Sequence, residues 1–382
     1  MRDGLQRPTV LMVSKPVAPP WNDSSKNLVK DLARAGRRFG YRVLTPSDYR
    51  LEGPGIVSEP LYRGGGAHTP ALVQNLRVMG RLLRSDDSAL THFFFAPNPK
   101  ASLAARLCLR LRSRRTVQTV CSTPQSFARP DRLLFADRVV VLSRHTESSF
   151  LAAGVAPSRL RVIPPGIELP DPPTEDERLR TRRRFGLPVG KPVVIYPGDY
   201  QFSDAAETVA RAALQLGDLE AHVVFACRIK QEASRSKEAE IRGLLAEHGG
   251  LARALLLNDV PDILALIAAC DLCVLPAESL YAKMDLPLVL LEALALRVPI
   301  VVADVPPLNE VLVGDVGAAV PPRDPAALAQ TVRTLLANED ARRRMGERGR
   351  LAVQSHFGIA RVAELHEELY EELLQTAVRG SG

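Results

Sequence analysis

Short continuous apolar runs alternate with amphipathic stretches along nearly the whole chain. The runs that begin at Thr9, Thr91 and Val193 are mostly apolar without strict alternation, which is typical of strands buried on both faces of a parallel sheet. Stretches with helical periodicity, such as 24–40 and 326–346, separate such runs. This alternation of strand and helix predicts a doubly wound α/β fold.

The organisation of the chain starts again near residue 190. Residues 164–191 are rich in proline and charge, and they predict an interdomain linker followed by a short helix. A chain of 382 residues also exceeds what one hydrophobic core normally supports. We therefore expect two Rossmann-like domains, at 1–166 and 167–355, with ligand sites at the carboxyl ends of their strands facing a shared cleft.

Composition and charge change this picture in one respect. Hydrophobic residues make up 46% of the chain and charged residues 24%, which are ordinary globular values. The formal net charge of +7 divides into +14 for residues 1–170, with 26 Lys and Arg against 12 Asp and Glu, and −7 for residues 171–382. A basic half indicates an anionic partner such as a membrane surface, a phosphorylated acceptor or nucleic acid. The alternative is a soluble, arginine-rich surface.

Targeting and cysteine signals favour a cytoplasmic protein. No apolar run reaches the roughly 18 residues that cross a bilayer, and the first residues lack a signal-peptide pattern. Five cysteines at irregular spacing suit a reducing compartment. Cys270 and Cys273 form one C-x-x-C inside an apolar run, so we expect core cysteines, with redox or metal chemistry as the alternative.

Three segments together resemble the retaining glycosyltransferases of family four, which have the GT-B fold. They are Ala136–Glu168, Asn258–Leu312 and 317–336. The resemblance implies a first domain that binds the acceptor, a second that binds the nucleotide sugar, and a final helix at 356–378 that crosses back onto the first domain. In the first segment Ser143 is placed to cap a helix that Gly154 ends.

The second segment carries the donor-site residues that the family implies. The family has two glutamates eight positions apart, and Glu292 matches the second, which accepts hydrogen bonds from the ribose hydroxyls. A carboxylate suits two neighbouring hydroxyls because it offers several acceptor sites. Met284 stands in place of the first glutamate. Either Asp285 or Glu278 replaces it, or the donor sugar is held differently.

The residues around this window are further donor-site candidates. Lys283 is a candidate for the donor phosphate. Asp285 also looks like a helix N-cap with Pro287 in the first turn. Such a helix start favours a diphosphate, although an aspartate cap would compete for the same amides. The remaining donor candidates are Leu286, Leu288, Asn258 and Val260.

A second departure from the family concerns the diphosphate. The family usually has an arginine and a lysine after the first strand of the second domain, where this chain has Asp199 and Asp204. Two unpaired acids there would repel a diphosphate. Arg228 and Lys230 follow the next strand and could supply the missing positive charge, with Arg228 favoured because guanidinium binds phosphate in a bidentate way.

The first domain lacks the family's glycine-rich turn after its first strand. Ser24 and Ser25 open the following helix, where hydroxyls and backbone N–H groups suit phosphate. Simple capping of that helix by Asn22 or Asp23 is the alternative.

Three residues are candidates for the acceptor side of the first domain. They are Trp21, which is the single tryptophan, His92 and Ser122. A packed core histidine is the alternative for His92. The stretch 101–115 has apolar residues at helical spacing and five arginines, so it could press against anionic lipid or be an ordinary amphipathic helix with a basic solvent face.

The resemblance implies a hexosyltransferase-like enzyme. It would move a sugar from a nucleoside-diphosphate sugar, a UDP-sugar above all, to a hydroxyl of a sugar, lipid-linked or small-molecule acceptor, with retention and without a metal, a cofactor or a protein nucleophile. Arg228, Lys230 and Lys283 would stabilise the departing diphosphate. The alternative is a non-catalytic GT-B partner or sugar-binding subunit, consistent with Met284 and the missing basic pair. Nucleic acid is disfavoured because no basic motif interleaved with aromatics is present. The enzyme would be cytoplasmic, with a peripheral position at the inner face of the membrane as the alternative.

Overall fold

The computed structural model describes residues 7–63, 72–84, 86–110, 114–229, 232–281 and 283–379. The chain divides into two compact units. Unit 1 comprises Met1–Glu168, Tyr281–Asp285 and Phe357–Gly382, and unit 2 comprises Leu169–Leu280 and Leu286–His356. Among the described residues, no helix combines the length and apolar character that a membrane span requires.

Unit 1 contains a seven-stranded parallel sheet in the order β3-β2-β1-β4-β5-β6-β7. Its strands are β1 Thr9–Val13, β2 Gly40–Pro46, β3 Ile56–Tyr62, β4 Ser88–Phe95, β5 Arg115–Val120, β6 Arg138–Val141 and β7 Leu160–Val162. Its helices are α1 Ser24–Ala35, α2 Leu72–Leu82, α3 Pro99–Arg110, α4 Pro130–Leu133 and α5 Arg144–Ala152, and α13 Ile359–Arg379 returns to it from beyond unit 2. Consecutive residues are buried in β1, β4, β5 and β6, and because side chains alternate along a strand, both faces of the sheet are buried there.

Unit 2 repeats the same architecture with a six-stranded parallel sheet in the order β10-β9-β8-β11-β12-β13. Its strands are β8 Val193–Tyr196, β9 His222–Ala226, β10 Ala254–Leu257, β11 Leu272–Leu275, β12 Ile300–Ala303 and β13 Gly317–Val320. Its helices are α6 Glu175–Arg184, α7 Ala205–Leu214, α8 Glu232–Glu247, α9 Ile263–Ala268, α10 Leu288–Ala295, α11 Pro325–Leu336 and α12 Glu339–Ala352. The predicted α/β class, with two doubly wound units, is confirmed.

Local signals explain where several of these helices begin and end. Ser143 accepts the N–H of Thr146 at 3.1 Å as the N-cap of α5, and Gly154 follows the helix in the left-handed region at φ +87°, as predicted. The amphipathic stretch 326–346 divides into α11 and α12, because Asn338 caps a new helix by accepting the N–H of Ala341 at 2.9 Å. All five cysteines are buried and unbridged, so the core interpretation of Cys270 and Cys273 is confirmed.

One buried carboxylate fastens α13 to unit 1. Glu367 is 3% exposed, and its Oε1 accepts the backbone N–H groups of Arg37, Arg38 and Phe39 at 2.9, 2.9 and 3.2 Å. The same oxygen accepts the hydroxyl of Tyr41 at 2.8 Å. Hydrogen bonds to an ionised acceptor are stronger than neutral ones, so this carboxylate fixes α13 against the turn that precedes β2.

Candidate functional site

The topology of unit 2 defines where a ligand binds most readily. In its sheet β8 lies between β9 and β11, so the chain runs to opposite sides after β8 and after β11. Ligands of open α/β sheets bind at such a switch point, outside the carboxyl ends of the strands. The candidate site of unit 2 is therefore built by the segments that follow β8 and β11.

The segment after β8 is a tight polar turn. The hydroxyl of Tyr196 donates to the backbone oxygen of Asp199 at 2.9 Å. The Asp199 carboxylate accepts the N–H groups of Gln201 and Phe202 at 2.9 and 3.0 Å. This arrangement, in which a side chain bonds to backbone two residues on, is a typical aspartate turn. Asp199 therefore has a structural role, and its charge is stabilised by amides.

Three charged residues from three connections meet at the same edge. The backbone N–H of Asp204 donates to Glu278 Oε1 at 2.9 Å. Arg323, which follows β13, pairs with Asp204 Oδ2 at 3.0 Å and with Glu278 Oε1 at 3.4 Å. The expectation that Asp199 and Asp204 are unpaired acids is wrong, because amides bind the first and a guanidinium binds the second.

Glu278 is the most constrained acid of this group. Its side chain is 14% exposed, and its second oxygen, Oε2, is buried without a hydrogen-bond partner among the described residues. The hydroxyl of Ser203 is in the same condition. A buried acceptor without a donor is costly, so both atoms have capacity for a ligand group.

These residues border an open cavity of about 670 Å³. Its walls are the turn after β8 and the first half of α8. The lining side chains are Tyr200, Gln201, Phe202, Ser203, Asp204, Ala233, Ser236, Lys237, Glu240 and Glu278. Lys237 donates to Glu207 at 3.0 Å and pairs with Glu240 at 3.1 Å. The hydrogen bond that Lys237 donates to Glu207 outweighs the opposing effect of burial and, with Glu240, raises the pKa of Lys237, so this side chain is charged at neutral pH.

Glu292 occupies the second turn of α10, the helix that follows β11. It is half-buried among leucines and alanines that are buried. Burial first, and the negative charge of Glu292 second, raise the pKa of Cys273 in β11. The side chains of Leu286 and Leu288 are buried in the core, so only their backbone groups are available to a ligand, whereas Pro287 is half-buried.

The other candidates of unit 2 are spread along the same edge. Arg228 is half-buried one strand away from the switch point, after β9. Lys230 lies outside the described residues. Asn258 is exposed and Val260 half-buried after β10, which is the edge strand. The structure thus brings Glu278 together with Asp204 and Arg323, and it leaves Asn258 and Val260 two strands from the switch point.

Asp285 has a different role from the one expected. It is completely buried in unit 1, where its carboxylate accepts the hydroxyls of Thr123, Ser143 and Thr146 at 2.8, 2.6 and 2.6 Å. Helix α10 begins at Leu288 without a side-chain cap. The expectation that Asp285 caps this helix or contacts the donor is therefore wrong, because three protein hydroxyls already occupy both carboxylate oxygens.

Lys283 and Met284 belong to the same short part of unit 1. The backbone oxygen of Lys283 accepts the N–H of Thr123 at 3.3 Å, and the Lys283 side chain is half-buried. Met284 is 6% exposed. The position of the family's first glutamate therefore holds an apolar side chain that is removed from solvent.

The N-terminus of α1 in unit 1 is capped by the side chain of Asp23. Asp23 accepts the N–H groups of Ser25 and Lys26 and the hydroxyl of Ser25, and Lys15 pairs with it at 2.8 Å. Burial alone would raise the pKa of Asp23, but the charge of Lys15 and these hydrogen bonds lower it to about 2. The capping interpretation is confirmed, and the expectation that Ser24 and Ser25 hold phosphate loses the amides on which it depended.

The three acceptor candidates of unit 1 differ in how deeply they are buried. His92 is completely buried, with Nδ1 and Nε2 each 2.7 Å from the hydroxyls of Tyr370 and Thr119. The expectation that His92 contacts an acceptor is wrong, because both ring nitrogens are engaged inside the core. Trp21 is half-buried after β1, and Ser122 is 8% exposed after β5.

Arg323, Ser203 and Lys237 are site residues that sequence reasoning missed. Arg323 follows the apolar run 317–320 after two prolines, and the rule that placed Arg228 at the end of a strand applies equally to it. Its left-handed backbone, at φ +57°, is uncommon for a residue other than glycine. Ser203 and Lys237 carried no signal beyond their polarity, since a helix or turn face is normally solvated.

Two family descriptions match consecutive parts of the chain. Residues 25–170 match "Glycosyltransferase Family 4", and residues 177–352 match "Glycosyl transferases group 1". The first match lies in unit 1 and the second in unit 2, so the candidate site described above falls within the second.

Curated relatives share a common type of activity. The D-inositol 3-phosphate glycosyltransferase of Xylanimonas cellulosilytica is 27% identical over 63% of this chain and 58% of the relative. That of Acidothermus cellulolyticus is 32% identical over 54% of this chain and 47% of the relative. The alpha-D-kanosaminyltransferase of Streptomyces kanamyceticus is 25% identical over 53% and 51%. The chain spans about half the length of these curated relatives.

Solved structures match over nearly the whole chain. Sucrose-phosphate synthase from Thermosynechococcus elongatus superposes with a TM-score of 0.77 at 21% identity, covering 97% of this chain and all of that one. Anabaena HepE in complex with UDP and glucose gives a TM-score of 0.73 at 15% identity, covering 95% and 99%. These neighbours share the two-unit α/β fold of this chain, which is the GT-B fold. With the two family matches, the chain belongs to the family-4-like glycosyltransferases.

Proposed function

We propose that this chain transfers a sugar from a nucleoside-diphosphate sugar to an acceptor hydroxyl, with retention of the anomeric configuration. The donor occupies the carboxyl edge of the unit 2 sheet, and a UDP-sugar is the first candidate because a structural neighbour is described in complex with UDP and with UDP-glucose. The proposal needs no further cofactor. The acceptor is a polyol or sugar hydroxyl, in keeping with the names of the curated relatives.

The observation that carries this proposal is the half-satisfied carboxylate of Glu278 at the switch point. One of its oxygens is held by Asp204 and Arg323, the other is buried without a hydrogen-bond partner among the described residues, and the residue lines the 670 Å³ cavity. An ionised carboxylate with a free oxygen accepts hydrogen bonds from sugar hydroxyls. Glu278 therefore takes over the sugar contact for which the family's first glutamate, here Met284, is absent.

The reaction balances without a protein nucleophile. The bond between the sugar C1 and the β-phosphate oxygen breaks, and its electron pair leaves with the diphosphate. The acceptor oxygen forms the new bond to C1 on the same face, and its proton passes to the departing phosphate oxygen. The protein orients both substrates and stabilises the developing negative charge, for which Arg228, after β9, and Arg323, after β13, are candidates.

Thermal unfolding in the presence of nucleotides tests the donor assignment. The protein is melted with UDP, GDP, ADP or TDP and with their common sugars. A ligand that binds only the folded protein at about 100 times its dissociation constant adds about 2.7 kcal/mol of stability. We expect an upward shift of the melting temperature with one base, which Glu292→Ala removes. Glu247→Ala is the matched control, since Glu247 is an exposed glutamate at the end of α8.

Two results would count against the proposal. A protein that gains no stability from any nucleotide, or from any nucleotide sugar, would favour a non-catalytic partner subunit of the same fold. A protein that binds a nucleotide sugar but releases no diphosphate with any polyol, inositol phosphate or aminosugar acceptor would favour a sugar-binding role. The anomeric configuration of a product, read by NMR, decides retention separately.

A further inference from the structure

Helices α2 and α3 of unit 1 expose large apolar side chains to solvent. Val73 and Leu76 on α2 are 58% and 56% exposed, and Leu103 and Leu107 on α3 are 57% and 52% exposed. Scattered exposed leucines are normal on protein surfaces, whereas neighbouring ones form a patch that marks an interaction site. Within each helix the two residues are three or four positions apart, so they lie on one face.

The two exposed faces lie on the same side of unit 1. The connections from β3 to β4 through α2 and from β4 to β5 through α3 both move in the same direction across the sheet. Because such crossovers are right-handed, both helices pack on one face of the sheet. A common core cluster agrees, since Val78 and Leu82 from α2 and Cys108 and Leu109 from α3 surround the same strand residues.

The charge on this surface has one sign. Neither α2 nor α3 contains an aspartate or a glutamate. Among the described residues, neither Arg77 nor Lys100 takes part in an ion pair. Glu59 and Asp86, on the flanking segments, are held in ion pairs by Arg81.

Another exposed leucine, on α12, has different surroundings from those on α2 and α3. Leu351 on α12 is 62% exposed. It is surrounded in sequence by charges of both signs that pair with one another, such as Arg343 with Glu347 and Arg348 with Asp315. That surface is an ordinary solvated helix face, on which acidic side chains lie among the arginines beside one exposed apolar side chain.

We propose that the exposed faces of α2 and α3 dock unit 1 on an anionic lipid surface. Apolar side chains that enter the headgroup region, together with unpaired basic residues that meet anionic lipid, are the two requirements for binding at an interface. A nucleic acid would use the basic residues but not the exposed Val73, Leu76, Leu103 and Leu107. A second copy of the same face would bring basic residues against basic residues, because a two-fold interface is self-complementary.

Co-sedimentation of the full chain with vesicles tests this docking surface. Vesicles of phosphatidylcholine mixed with phosphatidylglycerol are compared with vesicles of phosphatidylcholine alone. We expect binding to the anionic vesicles only, weakened by salt. The double variant Leu103→Glu/Leu107→Glu lowers the affinity at least tenfold, and Arg77→Ala and Lys100→Ala each lower it about fivefold. Leu351→Glu is the matched control and leaves binding unchanged.

Each outcome decides for or against the surface. Circular dichroism melting first confirms that the double variant is folded, and the two single basic variants provide an independent measurement if it is not. Failure of the unsubstituted chain to sediment with anionic vesicles would overturn the proposal. So would equal loss in Leu351→Glu, or a change of oligomeric state in the double variant, which would assign the face to self-association.

Discussion

The sheets of units 1 and 2 have corresponding strand orders, but the acidic residues at the carboxyl ends of their strands have different partners. In unit 1 the carboxylates of Asp23 and Asp285 are occupied by amides, hydroxyls and Lys15. In unit 2 Asp204 and Glu278 share Arg323, and one oxygen of Glu278 has no hydrogen-bond partner among the described residues. Carboxylates that protein donors saturate stabilise a fold, whereas a carboxylate left partly unsatisfied at a switch point can bind a ligand.

The largest effect is expected for Asp285 in unit 1, whose carboxylate oxygens both accept hydrogen bonds from the protein. Asp285→Ala leaves the hydroxyls of Thr123, Ser143 and Thr146 buried without their acceptor and lowers the free energy of unfolding by about 4 kcal/mol. Denaturant titration measures this change. Asp285→Asn, which keeps one acceptor oxygen, should lose less stability. Asp171→Ala, at a fully exposed side chain, should lose almost none. Equal stability of the three variants would show that the hydroxyl cluster is not a structural centre.

The second-largest effect is expected for Glu278 at the carboxyl edge of the unit 2 sheet. Glu278→Ala removes the open acceptor and is expected to lower the rate of sugar transfer about a hundredfold, because an acceptor that contacts the reacting sugar contributes about 2–3 kcal/mol to the transition state. Initial rates of nucleotide release measure it. Glu247→Ala is the control at an exposed glutamate. A rate within twofold of the parent would remove Glu278 from the donor site.

The shared arginine gives a double-mutant cycle. Arg323→Met leaves Asp204 and Glu278 without their cation and is expected to weaken nucleotide binding about tenfold by repulsion of the diphosphate. The effect is moderate because the Arg323 side chain is 64% exposed. Adding Asp204→Asn should restore part of the affinity, as calorimetry with UDP would reveal. Strictly additive losses would mean that the two residues act independently.

The smallest effect concerns the cap of α1. Asp23→Ala is expected to cost about 1 kcal/mol of stability at neutral pH and to leave nucleotide affinity unchanged. Because Asp23 has a pKa of about 2 in the folded protein, its contribution is present above its unfolded pKa of about 4 and is lost as the pH falls towards 2. Thermal melting across this range measures it. Weaker nucleotide binding in Asp23→Ala would contradict the assignment of a purely structural role to this unit 1 carboxylate.

Properties that depend on neighbouring residues could be predicted from the sequence. The apolar runs predicted the strands, the restart near residue 190 predicted the second unit, and Ser143 and Gly154 bracket a helix as expected. Each of these signals acts within a few residues, where the chain's own periodicity and capping decide the outcome.

The charges at the site could not be predicted in the same way. Asp285 looked like a cap because Pro287 follows it, yet its partners Thr123, Ser143 and Thr146 lie 139 to 162 positions away in the chain. Asp204 looked unpaired because Arg323 comes from a different strand end. The residues next to a charged side chain in the sequence therefore do not predict its role. That role depends on a partner that the fold brings close from a distant part of the chain.

The carboxylate of Glu367 has a consequence for how the protein is made. Unit 1 is completed by α13, which leaves the ribosome only after all of unit 2. At about 5–20 residues per second, the chain between Glu168 and Phe357 takes roughly 10–40 s to synthesise. Throughout that interval the turn 37–39 lacks its acceptor and the buried surface of α1 lacks its cover. Until α13 has been made, unit 1 of a nascent chain therefore exposes surface that is buried in the folded protein, whereas unit 2 has all of its residues once His356 has been added.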